Sequence, residues 1–261
     1  MPSINDASSM KQQYANADGL QIRMRLHQKY SLNQQPFGVW ISEHYQIQPG
    51  MKVLELGCGT GSMWQNPARW LPQDAALLLT DFSEGMLETA RGNVPAQPNI
   101  SFAQVDIQQI PYQDNSFDLV IANMMLYHVP DLDRALGEVA RVLRPGGRFI
   151  CATSGDRGIM PWLVQVLGAG ESAVLPFSLQ NGGAALEKHF ASAEMHVRQD
   201  GLAVTDVHDL AAYVLSTVSF GCIRQWPYEQ LVERLDQQNV DGIIHIPKEY
   251  GLFICTQPKK L

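Results

Sequence analysis

Val53-Leu54-Glu55-Leu56-Gly57-Cys58-Gly59-Thr60-Gly61 decides the fold: an apolar run holding one acid, then glycine at three alternate positions, then a helical pattern. The run is too apolar for a strand with one face in water, so it reads as a buried strand of a parallel sheet. Glycines at its end permit positive φ and let a ligand approach the backbone, in the crevice beyond the carboxyl ends of the strands where open α/β sheets bind ligands. A dinucleotide with a pyrophosphate is met by Gly-x-Gly-x-x-Gly. Here the spacing is Gly-x-Gly-x-Gly behind Glu55, and spacing and acid together favour a cationic nucleoside cofactor without phosphate.

Outward from this segment, short apolar runs alternate with helical patterns. Strands are predicted at 52–56, 76–80, 100–104, 117–122 and 148–153, with helices at 62–70, 83–93 and 132–143 between them. Ser83 and Asp131 stand where N-caps belong. The alternation predicts an α/β fold, Rossmann-like and doubly wound on a mostly parallel sheet. Ahead of it, helical stretches at 19–30 and 37–44 are placed to act as a lid. Behind it come helical patterns at 158–170 and 184–193, a strand at 195–203, helices at 206–217 and 227–238, and a last strand at 251–256 that completes a seven-stranded sheet. The expected organisation is an N-terminal helical lid over 1–45, a cofactor-binding core over 46–157, a helical cap insertion after the fifth strand over 158–192, and 193–261 completing the sheet.

The chain has 261 residues, 45% of them hydrophobic and 17% charged, enough for one substantial core with elaborations. No apolar run approaches the roughly 18 residues of a membrane span. A net charge of −7 argues against nucleic acid, whose phosphates need a basic face. Residues 1–14 lack the charged-then-apolar pattern of a secretion signal, which points to the cytoplasm. Cys58, Cys151, Cys222 and Cys255 show no metal-ligand spacing and are expected as free thiols, with no metal site.

Further residues follow in register. Asp81 ends the second strand, twenty residues after Gly61, and Asp106 follows the third in Gln104-Val105-Asp106-Ile107. Asp114-Asn115-Ser116-Phe117-Asp118-Leu119-Val120 leads into the fourth strand, and Leu143-Arg144-Pro145-Gly146-Gly147 turns into the fifth. On these motifs the segment 50–153 resembles class I S-adenosylmethionine-dependent methyltransferases, close to those of ubiquinone and menaquinone biosynthesis. The resemblance implies S-adenosyl-L-methionine as cofactor and S-adenosyl-L-homocysteine as product. It implies that Glu55, Gly57, Cys58, Gly59 and Gly61 receive the methionine half, that Asp81 binds the ribose hydroxyls and that Phe82 and Met86 flank the adenine. Asp106, beside Ile107, would accept from the adenine amino group, and the backbone of Asn123 would pack against the methionine part.

The acceptor side is less determined. His128, in Asn123-Met124-Met125-Leu126-Tyr127-His128 past the fourth strand, reads either as a general base or as a packed structural histidine. Tyr30 lies with Arg23, His27 and Ser31 in a segment of mixed polarity, and reads either as a contact to cofactor or acceptor or as a lid tyrosine making an ordinary hydrogen bond. Met160-Pro161-Trp162-Leu163 and Leu175-Pro176-Phe177 either roof an acceptor pocket or pack cap helices together. The expected function is in-line methyl transfer to a small, partly hydrophobic molecule. The alternatives are a nicotinamide-dependent oxidoreductase and a non-catalytic S-adenosylmethionine-binding protein. The pattern is silent on oligomeric state.

Overall fold

The computed structural model describes residues 17–170, 174–217 and 226–259. The motif strand, β1 (Lys52–Leu56), sits between β2 (Ala76–Asp81) and β4 (Phe117–Asn123), parallel to both. β3 (Ile100–Gln104) runs parallel to β2, and β5 (Leu143–Ser154) parallel to β4. With β6 (Phe190–Val204), β7 (Asn239–Val240) and β8 (Ile243–Pro258), the sheet order is β3-β2-β1-β4-β5-β8-β6, and β7 pairs antiparallel with β8. The expected seven strands form this path, and the short β7 adds an eighth beside it. Strand order reverses between β1 and β4, which opens a crevice at their carboxyl ends, where the glycine segment begins.

The sheet is buried on both faces because its side chains alternate. Leu54, Leu56, Val120 and Ala122 pack with Leu136 and Val139 of the helix Leu132–Val142 on one side, while Val53, Leu77, Leu79, Leu119 and Ile121 pack with Ile41 and Tyr45 on the other. Asp131 caps the Leu132–Val142 helix, accepting from the Arg134 amide at 3.0 Å. Ser83 precedes the helix Glu84–Asn93 but makes no side-chain cap; its own amide donates to Asp81 at 2.8 Å.

Several boundaries differ from expectation. The predicted helix at 62–70 is two 3-10 turns, Ser62–Trp64 and Pro67–Arg69; Gly61 enters in a left-handed conformation and Pro67 has no N–H to continue a helix. The predicted helix at 184–193 shortens to Gly182–Leu186, and the following strand starts at Phe190, whose ring stacks on Phe149 at 5.7 Å. The last strand runs over Ile243–Pro258, not 251–256. Gly251 does not break it, because a Cβ there would collide with the His196 carbonyl of the neighbouring strand.

The chain divides into two compact units, one comprising Gln35–Ser154, Leu175–Val197 and Gly251–Leu261, the other Met1–Gln34, Gly155–Val174 and Arg198–Tyr250. The boundary falls inside β6 and β8. The first unit holds the crevice. In the second, α1 (Ala17–Tyr30) and the helices Ile159–Leu167, Val207–Ser216 and Tyr228–Asp236 bury Leu26, Leu163, Leu210, Val214, Leu231, Leu235 and Ile246 in a core of their own. Among the described residues no helix is long and apolar enough to cross a membrane. Cys58, Cys151 and Cys255 are free, and Cys222 lies outside the described residues.

Candidate functional site

The glycine segment leaves β1 in a left-handed course, with φ of +68° at Gly57, +56° at Gly59 and +69° at Gly61. Two of the three are also confined. A Cβ on Gly57 would lie 2.9 Å from Met125, and one on Gly61 would lie 2.7 Å from Val94, whereas nothing stands within 4 Å of that position on Gly59. Gly57 and Gly61 therefore shape the turn against its neighbours, and Gly59 faces open space. The turn is tied to β2: the Cys58 amide donates to the Thr80 carbonyl at 2.8 Å, and the Thr80 hydroxyl donates to the Glu55 carbonyl at 2.7 Å.

Two carboxyl groups flank this turn, held in different ways. Asp81, at the end of β2, accepts from the Gly59 amide at 2.9 Å through one oxygen and from the Ser83 amide at 2.8 Å through the other. Glu55 is only 2% exposed; it accepts from the Trp64 indole N–H and, at 3.3 Å, from the Asn123 amide, which also donates to the Tyr45 hydroxyl at 2.7 Å. Burial pushes the Glu55 carboxyl up to about 7 and nearby Asp81 adds to this, while the hydrogen bonds from Trp64 and Asn123 oppose it. Burial, with the two acids nearby, also pushes the Cys58 thiol up, which disfavours its thiolate form. The Asn123 carbonyl oxygen is enclosed without a hydrogen-bond partner.

Beyond β3, both oxygens of Asp106 are held by the Gln108 side chain, at 3.1 and 3.3 Å, and one also accepts the Gln108 amide at 2.8 Å. Ile107 beside it is buried at 6% exposure. Phe82, after Asp81, is 63% exposed, and Met86 is half-buried one turn later. Asp114 and Asp118 have structural partners: Asp114 pairs with Arg141 at 2.8 Å, while Asp118 pairs with Arg144 at 2.7 Å and accepts the Lys52 amide at 2.8 Å.

His128 ends a short 3-10 turn, Leu126–His128, after β4. Its ring meets Tyr127 edge-on at 4.4 Å, its Nδ1 is enclosed without a partner, and burial lowers its pKa. Tyr30 belongs to the other unit, where its hydroxyl donates to Asp209 at 2.7 Å; Lys29 reaches the same carboxylate at 2.8 Å. Sequence reading missed Tyr45 and Trp64, which carry Glu55 and Asn123, and Gln108, which holds Asp106. Trp64 stands only nine residues from Glu55, but its polar edge turns inward because of a 3-10 turn that helical periodicity does not announce.

The crevice thus offers open backbone at Gly59, an enclosed acceptor on Asn123, and two carboxyls, with no lysine or arginine in the segment 53–61. Such a donor and acceptor set fits a cationic group better than a pyrophosphate.

Residues 54–151 match the family model for a methyltransferase domain. The chain is 38% identical over 123 residues to demethylmenaquinone methyltransferase of Symbiobacterium thermophilum, covering 44% of this chain and 49% of that protein. It is 37% identical over 123 residues to methyltransferase GfsG of Streptomyces halstedii, covering 45% and 43%. The chain spans about half the length of the curated relatives it matches. Its fold is shared with phosphoethanolamine N-methyltransferase 2 of Haemonchus contortus, solved in complex with S-adenosyl-L-methionine, at a TM-score of 0.59 and 16% identity over 97% of this chain and 60% of that one. The likeness read from the motifs therefore holds over the crevice-bearing segment.

Proposed function

We propose that this protein is an S-adenosylmethionine-dependent methyltransferase acting on a small, partly hydrophobic molecule. The observation that carries the reading is the crevice at the strand reversal, where three left-handed glycines, a buried Glu55 and an anchored Asp81 stand together. When bound, the cofactor would supply an electrophilic methyl carbon: a bond from the acceptor would form to it as its bond to sulfur breaks in line, the electron pair staying on the neutral thioether of S-adenosylhomocysteine.

The turn made by Gly57, Cys58, Gly59 and Gly61 admits the methionine half, with its open backbone at Gly59. Glu55, whose carboxyl burial pushes up to about 7, ionises when a positively charged ligand stands beside it, and in the dry interior that pairing is far stronger than in water. Asn123 is held through its amide nitrogen, which leaves its carbonyl oxygen free to accept from the ligand. Asp81 is oriented by the Gly59 and Ser83 amides and keeps lone pairs for ribose hydroxyls. Asp106, steadied by Gln108, with Ile107, Phe82 and Met86, receives the adenine.

Displacement at a sulfonium has a neutral leaving group, so the residues mainly position the reactants and exclude water. His128, kept neutral by burial, takes a proton from acceptors that must lose one. The net charge of −7 supports a small acceptor over nucleic acid. Incubation with methyl-labelled cofactor and separate pools of small-molecule extract, nucleic acid and protein tests the reading. Label is expected in the small-molecule pool; label confined to nucleic acid or protein refutes this acceptor class.

A further inference from the structure

Asp106, which receives the adenine in the proposed reaction, lies beyond the end of β3, in a turn. The Gln109 amide donates to its carbonyl at 2.9 Å, and the Gln108 amide donates to its Oδ1 at 2.8 Å. A turn of this kind holds one carboxylate oxygen and leaves the group free to swing about that bond. The Gln108 side chain removes this freedom, because its Nε2 reaches Oδ1 at 3.1 Å and Oδ2 at 3.3 Å together.

Gln108 is itself locked at the other end of its amide. Its Oε1 accepts the Asp131 backbone amide at 3.1 Å, from a residue 23 positions along the chain. With the amide turned over, its oxygen would oppose the Asp106 carboxylate and its NH2 would oppose the Asp131 N–H. Both partners therefore dictate one orientation, with the donor end on Asp106.

Asp131 is the N-cap of the helix Leu132–Val142, and that helix holds the rest of the loop as well. Glu138 accepts the Ile110 amide at 2.8 Å, while Arg141 donates to the Ile110 carbonyl at 2.9 Å and the Tyr112 carbonyl at 2.8 Å. The Asp106 carboxylate thus takes its bearing from the helix, through Gln108, as well as from the end of β3.

A carboxylate offers about four acceptor places and no donor. Gln108 takes two of them on Oδ1 and, at the longer distance, one on Oδ2, so Oδ2 can accept one more N–H. We propose that Gln108 is a positioning residue for purine recognition: by fixing the Asp106 carboxylate, it makes the site prefer a purine that bears a 6-amino group over one that lacks it. The inference rests on the reading that Asp106 receives the adenine, and goes beyond it in assigning the selectivity to Gln108.

The test uses the full chain, calorimetry and two ligands, S-adenosylhomocysteine and its analogue with hydrogen in place of the 6-amino group. The wild-type protein is expected to bind the amino ligand about ten- to a hundredfold more tightly, as befits one hydrogen bond to a charged acceptor. Gln108→Leu and the smaller Gln108→Ala are expected to cut that preference about tenfold, by weakening the amino ligand and leaving the other unchanged. Asp106→Ala should abolish the preference, and adding Gln108→Leu to it should change the preference no further, because Gln108 acts through Asp106. Gln108 variants that keep the wild-type preference, or that lose affinity for both ligands alike, overturn the proposal and leave Asp106 its role. A preference that survives in Asp106→Ala overturns the reading of Asp106 itself, and the role of Gln108 falls with it.

Discussion

Replacing Glu55 by glutamine is expected to stabilise the cofactor-free protein at pH 8 while weakening its hold on S-adenosylmethionine. The carboxyl is 2% exposed and displaced from an ordinary 4.5 to about 7, chiefly by burial. At about 1.4 kcal/mol for each pH unit, that displacement sets a ceiling of ~3 kcal/mol on the stability lost when the folded protein must hold the ionised form. The sign follows from which state binds the proton more tightly. The folded pKa lies above the unfolded one, so the contribution is full below about 4.5 and is lost as pH rises through about 7. Glutamine carries no charge to desolvate, and its carbonyl still accepts from Trp64. Its NH2 can donate to the Asn123 oxygen that now has no partner, once that amide turns. Urea unfolding followed by tryptophan fluorescence should therefore find the variant ~1–3 kcal/mol more stable than wild type at pH 8 and about equal at pH 5. Calorimetry should find affinity for the cationic cofactor reduced about tenfold or more. A stability difference that is the same at both pH values, or a variant that binds S-adenosylmethionine as tightly as wild type, refutes the reasoning.

Gly57→Ala forces a Cβ onto a residue at φ +68° and to within 2.9 Å of Met125, so a loss of ~1–3 kcal/mol is expected in denaturant unfolding, and wild-type stability would contradict the close-packed turn. Asp81→Ala removes the acceptor of the Gly59 and Ser83 amides, and a drop of about ten- to a hundredfold in cofactor affinity is expected by calorimetry; unchanged affinity would detach Asp81 from the site. His27 should remain neutral in an NMR titration until about pH 4, with its contribution to stability declining as pH falls from about 6.5 toward 4. Lys248→Met should raise that midpoint, and an unmoved midpoint would show that the Lys248 charge does not reach the ring.

The crevice was legible because its determinants are local. Glycines at 57, 59 and 61 adopt the positive φ that only glycine takes easily, and the apolar strand before them belongs to a sheet buried on both faces. Strand ends were less legible, since β5 begins at Leu143 although Arg144-Pro145-Gly146-Gly147 has the composition of a turn. The β6 and β8 strands extend well past their apolar cores because Gly251 permits a close approach between strands, which depends on a partner remote in sequence. The same holds for polar partners. Arg23, His27 and Ser31 were legible only as part of a segment of mixed polarity, because Tyr213, edge-on to His27, and Lys248, bonded to Ser31, lie nearly two hundred positions away or more. Tyr30 was read as open to two roles, and the structure places its hydroxyl on Asp209, a pairing that no local pattern announces.

The central claim is that the glycine crevice holds S-adenosylmethionine. Isothermal titration of the purified full chain with S-adenosylmethionine, S-adenosylhomocysteine and NAD tests it most directly. The account predicts stoichiometric binding of the first two and none of NAD; binding of NAD with neither adenosyl ligand bound would contradict it.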